Sequence, residues 1–172
     1  MTFCIRQTIS RLVAPRHELS CSWFLWRGLI RDLRQHGQNY RRESGAFLLG
    51  RKSNGRTRIV SYVLYDDLDP NCLDTGIIHF DGRHFGTLWG ICKARRLIVV
   101  ADVHTHPGCS EQSDSDQAHP MIARAGHIAL ILPRFAADPV TRREIGIYRY
   151  QGGGKWSAIA AELRRRFFHV GL

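Results

Sequence analysis

The stretch VHTHP at residues 103–107 is the feature that most constrains what this chain can fold into. It follows LIVVAD, an apolar run that is typical of a buried strand. Because side chains alternate along a strand, His104 and His106 point to the same face and can bind one metal ion. Pro107 ends the strand directly after the second histidine. The pattern therefore predicts a metal site at the end of a central strand.

Two histidines need a third ligand from the following loop, where Asp114 and Asp116 are both within reach. Three protein ligands that leave one coordination position open are typical of a catalytic zinc rather than a structural one. At the open position the ion lowers the pKa of water to roughly 7. A histidine pair alone is a moderately specific signal. Pro107 and the downstream pattern Ser113-x-x-Asp116 make it a strong one.

Composition limits the class of protein to which this chain can belong. With 172 residues, 44% of them hydrophobic, it is long enough for one domain with a substantial core. Its five cysteines are scattered, and we expect reduced thiols, with Cys109 a spectator in the loop. The net charge is +10, and the arginines occur in short clusters. We expect these clusters to lie on a solvated surface. Since no apolar run could span a bilayer and the N-terminus lacks a signal-peptide pattern, we expect a cytoplasmic location and no membrane partner.

The periodicity predicts helices and strands that interleave. Apolar residues at helical spacing predict a helix from about Ser22 to His36, capped by Ser22 and closed by Gly37. The other predicted helices lie at 82–96, 115–125 and, as an amphipathic closing helix, 156–170. Strands are predicted at 45–51, 56–67, 76–80, 96–106, 127–133 and 144–150. The fold class is therefore α/β (α+β), with a mixed β-sheet flanked by helices, in a single domain over residues 1–172. Residues 1–19 are predicted to be a loosely ordered N-terminal extension.

The order of three motifs resembles the JAMM, or MPN+, family of zinc metallo-isopeptidases, in its stand-alone prokaryotic form. These motifs are Glu43 in ESGAFLLG, the HTHP stretch, and Ser113-x-x-Asp116. The resemblance covers most of the chain and implies an MPN-like domain with one zinc ion bound by His104, His106 and Asp116. It also implies that Glu43 takes a proton from water and hands it to the leaving amine. Ser113 would then donate a hydrogen bond to the oxyanion.

Several alternatives stay open at this site. The loop PGCSEQ between His106 and Ser113 has six residues, one fewer than is usual in the family, so Asp114 is the alternative ligand and Ser115 the alternative serine. The Ser113 hydroxyl would instead stabilise its own turn if it does not face the oxyanion. Asp102 is not expected to be a ligand; it would orient a ligand, contact substrate or face an arginine. The remaining nearby histidines are expected to be packed or surface residues: His79, His84, His119 and His127.

The resemblance implies an enzyme that cleaves after the C-terminal tail of a ubiquitin-like protein, in deconjugation or precursor processing. Such proteins occur beside activating and conjugating enzymes, including those of bacterial anti-phage defence systems. One alternative is a RadC-like nucleic-acid-associated protein. We do not expect a nucleic-acid partner, although the +10 charge leaves it open. Another alternative is a metallopeptidase that trims a sulfur-carrier protein. A non-catalytic scaffold is disfavoured because every catalytic position of the pattern is filled.

The stretch YDDLDPNCLD is strongly acidic, whereas the chain as a whole is basic. It holds four aspartates within ten residues: Asp66, Asp67, Asp69 and Asp74. These side chains would attract a basic substrate tail towards the site, or they would cap backbone amides of their own turn.

Overall fold

A single mixed sheet organises the chain. A computed structural model describes residues 17–137 and 139–171. Within these ranges, eight strands pair in the order β7-β6-β5-β4-β2-β3-β1-β8. The strands are β1 (Leu19–Ser22), β2 (Gly45–Ser53), β3 (Arg56–Leu64), β4 (Ile98–Thr105), β5 (Ile128–Leu132), β6 (Gly146–Gly152), β7 (Lys155–Ala158) and β8 (Phe168–Gly171). The mixed α/β class predicted from the sequence is confirmed.

Five α-helices accompany the sheet within the same described residues. They are α1 (Trp23–His36), α2 (Tyr65–Leu68), α3 (Phe85–Arg95), α4 (Asp114–Ala118) and α5 (Arg164–Phe167). The predicted first helix is confirmed, since the hydroxyl of Ser22 accepts a hydrogen bond from the backbone of Leu25 at 3.2 Å and Gly37 closes the helix. Among the described helices, none is long and apolar enough to cross a membrane.

Strand β4 lies at the middle of the sheet, between β2 and β5. It pairs antiparallel with β2 and parallel with β5, and its residues from Val99 to Thr105 are all buried. Strand β2 also forms the predicted hairpin with β3, which reverses at Asn54 and Gly55. Both turn residues have positive φ, 50° and 72°, which suits the tight turn of a two-residue hairpin. The end of β4 is therefore held from both sides.

The two faces of the sheet carry separate core clusters. One cluster packs α1 against Ala46 and Leu48, and the other packs α3 against Phe47 and Leu49. These four residues are consecutive in β2, so their alternation follows directly from the two-residue period of a strand. Each face is covered by a helix, which explains why residues 45–50 of β2 and 99–105 of β4 are buried without interruption.

Two sequence predictions for secondary structure are wrong. Residues 76–80 belong to the loop between α2 and α3 rather than to a strand, and the backbone N–H of His79 donates to the carbonyl of Cys72 at 2.8 Å. The closing helix at 156–170 is replaced by β7, by the single turn α5 and by β8. Here β7 pairs with β6, and β8 pairs with β1. Phe167 and Phe168 are buried in the core in this arrangement, and their burial outweighs the helical preference of the segment.

Smaller differences concern where elements begin and end. The strand predicted at 56–67 ends at Leu64, and helix α2 follows directly. The short helix predicted at 115–125 ends at Ala118, shortly before Pro120. Of the predicted N-terminal extension, residues 1–16 lie outside the described residues, and Leu19 is the first residue of β1.

Candidate metal centre

The two histidines of the HTHP stretch lie where β4 ends. His104 is inside the strand and pairs with Gly45 of β2, while His106 follows the strand and its N–H donates to the carbonyl of Leu132 at 2.9 Å. Both imidazoles are buried, and their Nε2 atoms lie 3.0 Å apart. The predicted placement of both rings on one face is therefore what the structure shows.

Asp116 reaches the two histidines from helix α4. Its Oδ1 lies 3.3 Å from His104 Nε2, and its Oδ2 lies 3.2 Å from His106 Nε2. The ligand atoms of the three residues all lie within 4.8 Å of one another. Asp114, the alternative ligand, is exposed at the start of α4 and is not part of this group.

The three side chains fit a divalent metal ion. Two imidazole nitrogens and one carboxylate oxygen are a donor set that such ions accept, zinc among them. The two Nε2 atoms of His104 and His106 face each other at hydrogen-bond distance, so two neutral rings could share only one proton between them. A cation between the same atoms would satisfy both nitrogens and the carboxylate of Asp116.

The charges of this group perturb one another. Burial raises the pKa of Asp116, but its hydrogen bonds with His104 and His106 outweigh burial and hold that pKa well below its ordinary range. Burial lowers the pKa of His104, but the carboxylates of Asp102 and Asp116 outweigh it and raise that pKa to about 9. The cluster therefore favours positive charge at the position between the imidazoles and the carboxylate, and a metal ion would supply that charge by displacing protons.

Glu43 lies just before β2, at the same end of the sheet. It is half-buried, and its backbone N–H donates to the carbonyl of Gly76 at 3.0 Å. Burial is the main cause of a raised pKa of its carboxyl, and the negative charge of Asp116 adds to it. The charges of His104 and His106 and a hydrogen bond from the backbone of Ile78 act in the opposite direction. Glu43 is thus within electrostatic reach of all three candidate ligands.

Ser113 is the N-cap of α4. Its hydroxyl donates to Asp116 Oδ2 at 2.8 Å and accepts from the N–H of Asp116 at 3.1 Å, and its own N–H donates to the same Oδ2 at 2.7 Å. This is a capping box, in which cap and third residue bond reciprocally. The structure thus places the Ser113 hydroxyl against a candidate ligand, and its role towards an oxyanion stays a prediction. Ser115, the alternative serine, is exposed on α4.

A buried hydrogen-bond network next to His104 was not predicted from the sequence. Asp102 Oδ1 lies 2.6 Å from His127 Nε2, and Tyr65 donates its hydroxyl to Asp102 Oδ2 at 3.2 Å. Asp102 Oδ2 also lies 3.9 Å from His104 Nδ1. The spacing Asp102-x-His104 indicated a shared face, but nothing in the sequence tied His127 or Tyr65 to this carboxylate.

The acidic stretch is only partly available to a ligand. Asp66 lies 2.6 Å from His36 Nδ1. Asp69 is buried and accepts hydrogen bonds from the backbone of Asn71 and Asp81. Asp67 and Asp74 are exposed. Asp66 therefore links this stretch to α1, and Asp69 stabilises the loop itself.

One curated protein that is named as a metalloprotease is similar to part of this chain. No family model matches the chain. It is similar to a protein of Sinorhizobium fredii named "Probable metalloprotease y4jG", with 26% identity over 103 residues that cover 51% of this chain and 64% of that protein. The chain thus spans just under two thirds of the length of this curated relative.

A solved structure has the same fold. The solution structure of protein DSY2949 from Desulfitobacterium hafniense aligns with a TM-score of 0.63 and 13% identity, over 88% of this chain and 92% of that one. A likeness at this identity concerns the fold alone.

Proposed function

We propose that this protein is a JAMM-type zinc metallopeptidase that cleaves after the C-terminal tail of a ubiquitin-like protein. The observation that carries the proposal is the convergence of His104, His106 and Asp116 at the end of β4, with the carboxyl of Glu43 within electrostatic reach. The similarity to a protein named as a metalloprotease supports the same chemistry.

His104, His106 and Asp116 would hold the ion. When bound, zinc supplies Lewis-acid chemistry and makes water a stronger acid, with a pKa of roughly 7. Glu43 then accepts the proton of the attacking water at its carboxylate and delivers it to the nitrogen of the leaving amine. Its raised pKa suits a group that must both take up and release a proton near neutral pH.

Ser113 would act at two atoms in turn. In the structure its hydroxyl proton is directed at Asp116 Oδ2. During cleavage the same proton would turn to the oxygen on which negative charge develops, while the Ser113 N–H keeps its bond to Asp116. The capping box would thus hold Asp116 in place throughout.

The substrate tail would lie along the loop at 76–80. Gly76 and Ile78 of this loop contact the backbone and carboxyl of Glu43, so a peptide bound there passes the proton carrier. Ile77 is exposed and offers an apolar contact, and the exposed Asp67 and Asp74 would attract basic residues of the tail. Main-chain hydrogen bonds to the loop would supply affinity.

This activity would reverse or process conjugates made by activating and conjugating enzymes, as in a bacterial anti-phage conjugation system. The test is cleavage of a ubiquitin-like protein that carries a C-terminal extension, with and without a chelator. Asp116→Asn should abolish cleavage, and its matched control Asp114→Asn, two residues away on the exposed side of α4, should not. Cleavage that survives both the chelator and Asp116→Asn would refute the proposal.

Nucleic-acid binding is a second candidate function, favoured by one surface feature. A groove of about 1120 Å³ at the tip of the β2–β3 hairpin is lined by Arg51, Arg56 and Arg58, and Arg51 lies directly opposite Arg58 in the ladder. Glu18, the acid that lines this groove, is already engaged by Arg149 at 2.7 and 2.8 Å. Like charges opposite each other are unfavourable in a sheet, and a phosphate backbone would relieve this repulsion.

Fluorescence anisotropy with labelled DNA and RNA oligonucleotides over a salt series tests this second function. Wild-type affinity should fall as the salt concentration rises. In the double variant Arg51→Ala, Arg58→Ala, the slope of log affinity against log salt concentration should become less steep by up to about 2, since each lost phosphate contact removes about 0.9. Equal affinities of the variant and the wild type would exclude the groove as a nucleic-acid site.

A further inference from the structure

Asp102 is a buried carboxylate that the proposed chemistry does not use. It is 2% exposed, lies in the middle of the sheet and contacts two side chains that come from other elements. His127, directly before β5, lies 2.6 Å from its Oδ1. Tyr65, the first residue of α2, donates to its Oδ2 at 3.2 Å. A charge buried this deeply is stable only when such partners hold it.

The carboxylate of Asp102 also lies on the Nδ1 side of His104, a candidate metal ligand. His104 directs Nε2 towards His106 and Asp116, so its Nδ1 is on the opposite side of the ring, 3.9 Å from Asp102 Oδ2. A neutral imidazole carries one proton, and it can bind a metal through Nε2 only when that proton is on Nδ1. An acceptor on the Nδ1 side selects that tautomer and orients the ring.

A glycine makes room for this arrangement. Gly45 pairs with His104 in the sheet, and a Cβ built on Gly45 would lie 2.3 Å from Cε2 and 2.6 Å from Cδ2 of the Tyr65 ring. Any side chain at position 45 would therefore push Tyr65 out of the position from which its hydroxyl reaches Asp102. Tyr65 itself is fully buried, and burial raises its pKa well above the ordinary value, so it stays a donor.

We propose that Asp102 is a positioning residue for the metal centre, which fixes the tautomer and orientation of His104, and that His127 and Tyr65 hold Asp102 in place. The proposal rests on the metal centre described above, but not on its peptidase activity. Asp102 acts through His104 and does not itself touch substrate.

The test compares variants by zinc affinity, measured in chelator competition, and by the visible spectrum of the cobalt-substituted protein. Asp102→Asn keeps the side-chain volume but removes the negative charge beside Nδ1 of His104, and so removes the preference for the tautomer that leaves Nε2 free for the metal. Zinc affinity should fall on the order of 10- to 100-fold, and the cobalt bands should shift. His127→Gln and Tyr65→Phe should weaken zinc binding in the same direction, by less.

A matched control separates positioning from folding. Tyr62 donates its hydroxyl to Asp32 at 2.6 Å, the same kind of contact away from the metal centre. Tyr62→Phe should therefore leave zinc affinity and the cobalt spectrum unchanged, whatever its effect on thermal unfolding. If Asp102→Asn does not fold, the zinc affinities of Tyr65→Phe and Tyr62→Phe are compared instead. Each variant loses one phenol hydroxyl, but only Tyr65→Phe loses a contact with Asp102.

The outcomes distinguish this inference from the proposed function. Wild-type zinc affinity and cobalt spectrum in folded Asp102→Asn and Tyr65→Phe would overturn the positioning role, even if the wild type cleaves its substrate. Conversely, a wild type that cleaves nothing while Asp102→Asn loses zinc would refute the peptidase and support the positioning role. A wild type that binds no zinc at all would overturn both.

Discussion

Replacing Glu43 by glutamine is the sharpest test of the proposed chemistry. The change keeps the shape of the side chain but removes the carboxylate that accepts a proton from water. We expect turnover to fall on the order of 10²–10⁴-fold, the typical contribution of a general base. That loss corresponds to about 3–5 kcal/mol of transition-state stabilisation.

The surroundings of Glu43 indicate that this loss would reflect chemistry rather than displacement. Its backbone N–H bonds the carbonyl of Gly76, and the backbone of Ile78 hydrogen-bonds its carboxyl. A glutamine side-chain oxygen can still accept the bond from Ile78. The variant should therefore keep its fold and its zinc.

Stability adds a second readout, whose sign follows from the pKa. Burial raises the folded-state pKa of Glu43 above its ordinary value of 4.5, so the ionised form is less favourable in the folded chain than in the unfolded one. Its contribution to stability is fully present below the unfolded pKa and is lost as pH rises through the folded pKa. Metal-free Glu43→Gln should therefore unfold at a higher temperature than wild type at neutral pH, and this advantage should vanish near roughly pH 4.

The assay is cleavage of a tail-extended ubiquitin-like protein by wild type and variant at equal zinc content, which elemental analysis verifies. A variant that carries full zinc and cleaves at the wild-type rate would refute the reasoning, since another group would then accept the proton.

The remaining predictions concern the metal, the capping serine and the acidic loop. His106→Ala should lose the metal, and full zinc occupancy by elemental analysis in that variant would remove His106 from the ligand set. Ser113→Ala should slow cleavage on the order of 10²–10³-fold if the hydroxyl serves the oxyanion. Loss of the cap should also destabilise α4 by about 1 kcal/mol; a wild-type rate with that destabilisation would leave Ser113 as a cap alone. Asp67→Lys should raise KM for a basic tail, more so at low salt, whereas an unchanged KM at low ionic strength would leave Asp67 without a role in binding. Asp66 is less suitable for charge reversal because its contact with His36 links it to the fold.

Local patterns were enough to predict the elements whose determinants are close together in the chain. Helix α1 shows this, because Ser22, the apolar stripe and Gly37 all lie within it or beside it. The pairing of His104 with His106 follows from the two-residue period of a strand. One of the two alternatives predicted for Ser113 was a hydroxyl that stabilises its own turn, and the capping box with Asp116 is a contact of that kind.

The failures have a common cause in partners that are distant in sequence. Trp156 lies at helical spacing from its neighbours, yet it pairs with Tyr150 in an edge strand. The loop at 76–80 has residues typical of a strand, yet it belongs to none of the described strands. The carbonyl of Gly76 instead accepts a hydrogen bond from the backbone N–H of Glu43. A propensity of a few tenths of a kcal/mol per residue cannot outweigh such pairings.

The sequence by itself placed His104 and His106 on one face, because the local backbone sets the relative directions of side chains two residues apart in a strand. It left Asp114 and Asp116 as alternatives for the third ligand, and the position of α4 decided for Asp116. Only the tertiary structure decided which groups surround these side chains. Glu43 comes near His104 because β2 pairs with β4, and His127 reaches Asp102 because β5 lies on the other side of β4. These contacts depend on the order of the strands and on the space at Gly45 that the Tyr65 ring occupies. The packing of the whole sheet sets both, so no local sequence pattern encodes them.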